Sequence, residues 1–122
     1  MLIAGAGGFV GTCGRYALTR LCALLWPGAF PLGTLLVNLA GCFVIGLLLG
    51  VLERFGAVGS SVALLLITGF CGGFTTFSTF SVDLVALGSG GQWLPAGAYL
   101  LLSVGGGIIL TLAGRSLATL SV

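Results

Sequence analysis

Residues 69–81 read Gly-Phe-Cys-Gly-Gly-Phe-Thr-Thr-Phe-Ser-Thr-Phe-Ser, and this stretch holds most of the side chains that could meet a ligand. Phe77 and Phe80 are spaced i, i+3 and share one helix face. Ser78 and Thr79 lie between them, and Thr75, Thr76 and Ser81 flank them. The quadrupole of an aromatic ring leaves its edge positive, so a ring edge can meet an anion without formal charge. Thr34 and Asn38 form a second set, i, i+4 in another apolar segment. Tyr99 and Ser103 form a third, with Gly107 continuing their face.

Each set also has a plainer reading. Two phenylalanines pack in a core or against lipid. A buried amide joins helices. Hydroxyls in helices bond to the preceding turn. Together, hydroxyls, one amide and ring edges suit a small, hard, strongly hydrated anion. Donors replace its water, whereas a fixed buried cation would hold it too tightly to conduct. This chemistry permits an anion path without naming the anion.

The charged residues are few: Arg15, Arg20, Arg54, Arg115, Glu53 and Asp83. Arg15 either snorkels to an interface or lines an aqueous vestibule. Asp83 follows the hydroxyl stretch by one turn and pairs with an arginine or reaches water. There is no histidine, which excludes histidine-dependent catalysis, and no nucleophile-base pair supports an enzyme. Two acids are too few for a hard-metal cage. Cys13, Cys22, Cys42 and Cys71 have no metal-ligand spacing and read as small packing hydrophobes. No basic stripe exists to neutralise phosphates, so no nucleic acid is expected as a partner.

The elements that must position these groups are membrane segments. Of 122 residues, 58% are hydrophobic and 5% charged, with a mean hydropathy of +1.29. A soluble domain would carry roughly a quarter charged residues. Four apolar segments run from about Leu2 to Leu25, from Leu32 to Leu52, from Ser60 to Leu87 and from Trp93 to about Thr119. Each is long enough for the ~20 helical residues that span a hydrocarbon core. Trp26 and Trp93 sit at segment ends, where interfacial aromatics belong. Lipid offers no hydrogen bonds to backbone, so the glycine- and hydroxyl-rich part of the third segment, with a break expected at Gly72-Gly73, must line a cavity or bury itself against protein. The first segment lacks a basic n-region and does not read as a signal peptide. The expectation is an all-α membrane protein, residues 1–122 forming one four-helix domain with a break in the third helix.

Two patterns point beyond a single copy. Gly7 and Gly11, Gly46 and Gly50, and Gly69 and Gly73 are spaced i, i+4, which lets helix backbones approach closely. The arginines divide two against two between the ends of the segments, which leaves the positive-inside rule nothing to act on. Two copies of opposite orientation could pair about a two-fold axis in the membrane plane; chance balance is the simpler alternative.

The blocks Gly8-Phe-Val-Gly11-Thr-Cys-Gly-Arg15-Tyr16, Gly33-Thr34-Leu-Leu-Val-Asn38-Leu-Ala-Gly41 and Gly69-Phe-Cys-Gly-Gly-Phe-Thr-Thr-Phe-Ser-Thr-Phe80 resemble the signature blocks of the CrcB/Fluc fluoride ion channels. The resemblance covers all four segments in order. It implies an antiparallel, dual-topology homodimer in a bacterial cell (inner) membrane, with two narrow pores that let fluoride leave passively. Asn38 matches the pore asparagine, and Phe77 and Phe80 the ring-edge phenylalanines. Ser78 and Thr79 match a polar track, Thr34, Tyr99 and Ser103 fall on pore-side positions, and Arg15 matches a vestibule arginine. Backbone carbonyls of Gly72 and Thr75 match a structural sodium site at the dimer centre. Gly107 departs from relatives that carry serine there. The competing reading is a small multidrug-type proton-coupled exporter, which needs a carboxylate deep in the first segment; none is present there. A non-transporting scaffold would tolerate substitution of Asn38 or Phe80.

Overall fold

The computed structural model of the chain describes residues 1–120. Those residues form helices and turns, with no strand among them. Helix α1 spans Leu2–Leu25 and α2 spans Leu32–Arg54. A short turn α3, Ser61–Ala63, starts on Ser60, whose hydroxyl accepts from Ala63 N–H. It runs into a π-helix, Leu64–Cys71, and then into α4, Gly72–Phe74. Helix α5 spans Phe77–Ser89 and α6 spans Trp93–Leu120.

Three stretches are long and apolar enough to cross a membrane: Leu32–Arg54, Ser61–Ser89 and Trp93–Leu120. Helix α1 has the length, at 24 residues. It carries two arginines, Arg15 and Arg20, well inside the helix, so it falls short in hydropathy.

The interruption in the third stretch lies elsewhere than expected. Gly72 and Gly73 are helical. The chain becomes extended two residues later, at Thr75 (φ −79°, ψ 159°) and Thr76 (φ −150°, ψ 116°). Two adjacent β-branched residues favour extended backbone, and Thr76 has a further reason to leave the helix, described below.

Glycines set the two main seams. On α1, a side chain at Gly7 would strike the carbonyl of Leu65 and one at Gly11 the carbonyl of Phe70. From the opposite side, a Cβ on Gly69 would sit 2.6 Å from the Ala4 carbonyl oxygen, and one on Gly73 2.5 Å from that of Gly8. Backbone therefore lies on backbone along this seam, which is how small residues associate helices where lipid removes the hydrophobic drive. The second seam joins α2 to α6. A side chain at Gly46 would strike the Thr111 carbonyl, and one at Gly114 the Phe43 carbonyl. Thr111 Oγ1 spans this seam, 3.1 Å from the Cys42 carbonyl and 2.9 Å from that of Gly107.

Where side chains do fill space, they form one small core of Leu35, Phe80, Leu87, Ala96 and Tyr99, with Phe30, Leu39 and Leu84 against it. Two loops close on left-handed glycines, Gly56 (φ 62°) and Gly91 (φ 72°). Each follows a helix whose carbonyl three residues from its end accepts from beyond the glycine: Ala57 N–H to Leu52 at 2.8 Å, Gln92 N–H to Leu87 at 2.9 Å. This is the six-to-one closure that glycine permits. Arg115 pairs with Glu53 at 3.0 Å across the ends of α6 and α2. Both side chains are solvent-accessible in the chain, so the pair adds little stability.

Candidate functional site

The site is organised by the extended pair Thr75-Thr76. In a continuous helix the Thr76 N–H would donate to the Gly72 carbonyl. Here it donates to Asn38 Oδ1 at 2.8 Å, and the Thr76 carbonyl accepts from Asn38 Nδ2 at 3.0 Å. One side chain of α2 thus satisfies both backbone groups of a buried residue, as buried backbone requires. The Thr76 hydroxyl accepts from Thr79 N–H at 3.2 Å and lies 3.0 Å from Thr79 Oγ1 and 3.4 Å from Ser78 Oγ. Thr76 is therefore the N-cap of α5, a role threonine is suited to.

Helix α1 meets the other side of this turn. Arg15 Nη1 approaches the Thr75 carbonyl at 3.5 Å, and Thr12 Oγ1 the Gly73 carbonyl at 3.4 Å. Thr75 keeps its own N–H and hydroxyl on the Cys71 carbonyl, at 3.0 and 2.9 Å.

Below the turn lies a cavity of about 380 Å³. Asn38, Gly72, Thr75, Phe77, Phe80 and Ser103 all line it, together with Thr76, Thr68, Cys42 and Cys71. No charged side chain does. The two rings differ in setting. Phe80 is 7% exposed and Phe77 79% exposed, with centroids 5.7 Å apart and planes at 45°. Ser103 Oγ is buried and has no hydrogen-bond partner among the described residues. A buried hydroxyl without a partner is costly, so this donor is available to something that enters. A second cavity of about 400 Å³ shares Cys42, Ser103 and Val104 and continues along α6 past Gly107 and Thr111. Glycine at 107 leaves Cys42 Sγ as the nearest neighbour of that position, 3.2 Å from where a Cβ would stand.

The remaining residues singled out in the sequence divide between other places. Tyr99 is completely buried, with its ring tilted at 50° to that of Phe80 at 5.1 Å and edge-on to Phe30 at 5.7 Å. Its hydroxyl donates to Asp83 Oδ2 at 3.1 Å. Thr34 and Asp83 share a separate cavity of about 290 Å³ under the turn between α1 and α2. Ser78 and Thr79 are exposed on the single chain, near the Thr76 cap. Tyr99 and Ser103 thus share a helix face, but Tyr99 is core against the Phe80 ring and Ser103 lines the cavity.

Sequence reasoning gave too little weight to Thr76, which joins latch, cap and cavity. The signal was present, since threonine directly before a helical run is an N-cap pattern. All four cysteines are free thiols; Cys22 and Cys71 are buried, Cys42 is partly so and Cys13 is exposed. Among the described residues no group of three or more His, Cys, Asp or Glu is placed to hold a metal ion.

Comparison with known proteins points to one group. The family model described as CrcB-like protein, Camphor Resistance (CrcB), matches residues 2–115. The chain is 43% identical over 120 residues to the fluoride-specific ion channel FluC of Chlorobium phaeobacteroides (strain BS1), covering 98% of this chain and 93% of that one. It is 47% identical over 112 residues to the protein of the same name from Pseudomonas putida strain F1, covering 92% and 90%. It is 45% identical over 120 residues to fluoride-specific ion channel FluC 1 of Moorella thermoacetica, covering 98% and 85%.

Proposed function

The chain belongs to the CrcB-like family, and from that premise we propose that it is a fluoride-selective ion channel that lets fluoride leave the cell passively. One observation carries the reading at the level of chemistry. The cavity beside Thr76 gathers an amide, hydroxyls and phenylalanine rings with no formal charge among them. Fluoride is small and strongly hydrated, and it needs short-range donors to replace its water. Chloride is larger, and the same close-set donors fit it poorly. The absence of a buried cation keeps the site from becoming a trap. In this reading Asn38, Ser103, Phe80 and Phe77 form the middle of the path, Thr34 and Tyr99 one approach to it, and Ser78 and Thr79 a polar track beside it. Arg15 stands in a vestibule. The proton-coupled exporter is not favoured, because α1 offers no carboxylate.

The working unit we propose is an antiparallel homodimer with two pores, inserted in both orientations in a bacterial inner membrane, each copy crossing four times. Supporting this, α1 is seated on the π-helix and α4 by its glycines although it is the least apolar helix. The Phe77 ring stands exposed at the lip of the cavity and needs a surface to cover it. Dimerisation would place two such lips together.

A sodium ion on the dimer axis belongs to the same proposal. Diversion of the Thr76 N–H to Asn38 takes the usual helical donor from the Gly72 carbonyl. Among the described residues, the Thr75 carbonyl is met only by the long Arg15 contact. Freed carbonyls at an unwound helix suit a hard monovalent cation. One copy supplies two oxygens, so the other copy must complete the shell. Crystals grown with a heavier monovalent cation should show density on the axis; an axis holding only water at long contacts would remove the sodium claim.

The central test is efflux from liposomes containing the purified protein. Fluoride efflux with chloride strongly rejected is expected. Comparable rates for the two halides from the same vesicles would overturn the channel reading.

A further inference from the structure

We infer that Asn38 is a positioning residue: its amide is a latch that replaces the missing helical hydrogen bonds of Thr76 and so sets the direction in which α5 carries its phenylalanines. This goes beyond the fluoride reading but rests on it for its functional consequence.

The inventory of the amide supports the assignment. A carboxamide has one oxygen and two N–H donors. The Thr76 N–H can meet only Oδ1, and the Thr76 carbonyl can meet only Nδ2. The two bonds together fix which way the amide faces, because a flipped amide would oppose donor to donor and acceptor to acceptor. One N–H is left over. Its direction is therefore decided by Thr76 and not by anything in the cavity. An isolated donor on a flexible side chain would adapt to a passing ion; this one is preset.

The same residue sets the rings. Thr76 caps α5 through its hydroxyl and is held to α2 through its backbone. Phe77 follows it directly, and Phe80 lies one turn on. Among the described residues, no other hydrogen bond joins α2 to residues 72–89. Packing of Phe80 on Tyr99 holds the far side of the same turn, so α5 is fixed at two points, one polar and one apolar. Loss of the polar point frees the Thr75-Thr76 backbone to rotate while the helices on either side stay folded. Both ring edges then lose their aim together.

Two measurements separate a latch from a direct ligand. In the first, the threonine at 76 is replaced by its hydroxy-acid analogue, which removes the N–H that Asn38 holds, weakens the Thr75 carbonyl as an acceptor and leaves Asn38 intact, so that the coupling to Asn38 below, and not the loss alone, reports the latch. Fluoride efflux should fall by about tenfold, the scale of one unpartnered buried polar group. Adding Asn38→Ala to that ester should cost less than the two losses multiplied, since both break the same latch. An ester variant that conducts like the parent, while Asn38→Ala does not, would show that Asn38 acts only as a direct donor. The second measurement needs no variant: amide hydrogen exchange of the parent protein. The Thr76 N–H should be protected like the helical amides beside it, and exchange at the rate of an open loop would overturn the latch. Exchange reports on the latch whatever ion passes, whereas a parent that fails to conduct fluoride would sink the channel reading alone.

Discussion

Tyr99 and Asp83 are joined hydroxyl to carboxylate at 3.1 Å, and this bond ties α6 to α5 on the side of the Phe80 ring that faces away from the cavity. Tyr99→Phe keeps the ring contacts with Phe30 and Phe80 and removes only that bond. The variant should lose about 2 kcal/mol of stability, the usual net worth of a hydrogen bond to a charged group. Fluoride efflux should fall as well, because Phe80 loses a fixed neighbour. Thermal unfolding in detergent together with liposome efflux checks both; an unchanged midpoint would show that the bond is not formed.

Phe80 and Phe77 should respond differently to the same exchange. Isoleucine keeps bulk and apolarity but has no positive edge. Phe80→Ile also disturbs the buried ring contact with Tyr99 and should cost about 1 kcal/mol or more of stability. Phe77 is mostly exposed on the single chain, so Phe77→Ile should leave chain stability unchanged. Both should cut fluoride efflux severely. Should both variants conduct like the parent, the rings serve packing alone and the path runs elsewhere.

The glycine seams give a sharp contrast in mutational cost. Gly11→Ala would place a methyl against the Phe70 carbonyl, and Gly46→Ala one against the Thr111 carbonyl. Backbone on both sides cannot yield cheaply, so each change should destabilise by about 3 kcal/mol, at the upper end of overpacking costs. Gly97 and Gly105 have nothing within 4 Å of the corresponding point. Within a single chain, alanine there should be neutral or slightly stabilising, since it is the better helix former. Yields and unfolding midpoints of the four variants test the order; Gly97→Ala or Gly105→Ala as damaging as Gly11→Ala would point to a second chain packed on that face.

Orientation can be forced. Two lysines added at one end of the chain should bias insertion and reduce efflux when that variant is expressed alone. Co-expression with an oppositely biased variant should restore efflux. Full activity of either biased variant by itself would count against the antiparallel dimer.

Much of this arrangement could be read from the residues, and the part that could not has a physical reason. Small residues at i, i+4 announce a close helix face, and Gly7, Gly11, Gly46, Gly69 and Gly73 each meet neighbouring backbone. The position of the interruption was misread because glycine permits a break without demanding one. Gly72 and Gly73 remain helical, and the demand comes from Asn38, a residue on another helix that captures Thr76. No local pattern around residue 72 encodes that. Tyr99 and Ser103 illustrate the same limit. Their spacing places them on one face, but only the seating of Phe80 decides that one becomes core and the other meets a cavity.

The eight-residue π-helix at Leu64–Cys71 has a consequence for folding. Wide helical turns are rare and occur mostly as single turns, so this one belongs to the docked chain, where Gly7 and Gly11 press against the Leu65 and Phe70 carbonyls. Helix α1 precedes this segment in the chain and supplies the surface on which the wide turns pack. A peptide of residues 60–89 in micelles should therefore wind as an ordinary α-helix through this region, and addition of an α1 peptide should convert it. Amide-to-carbonyl couplings in NMR would follow the change of register, and a π pattern in the isolated peptide would assign the wide turn to its own sequence.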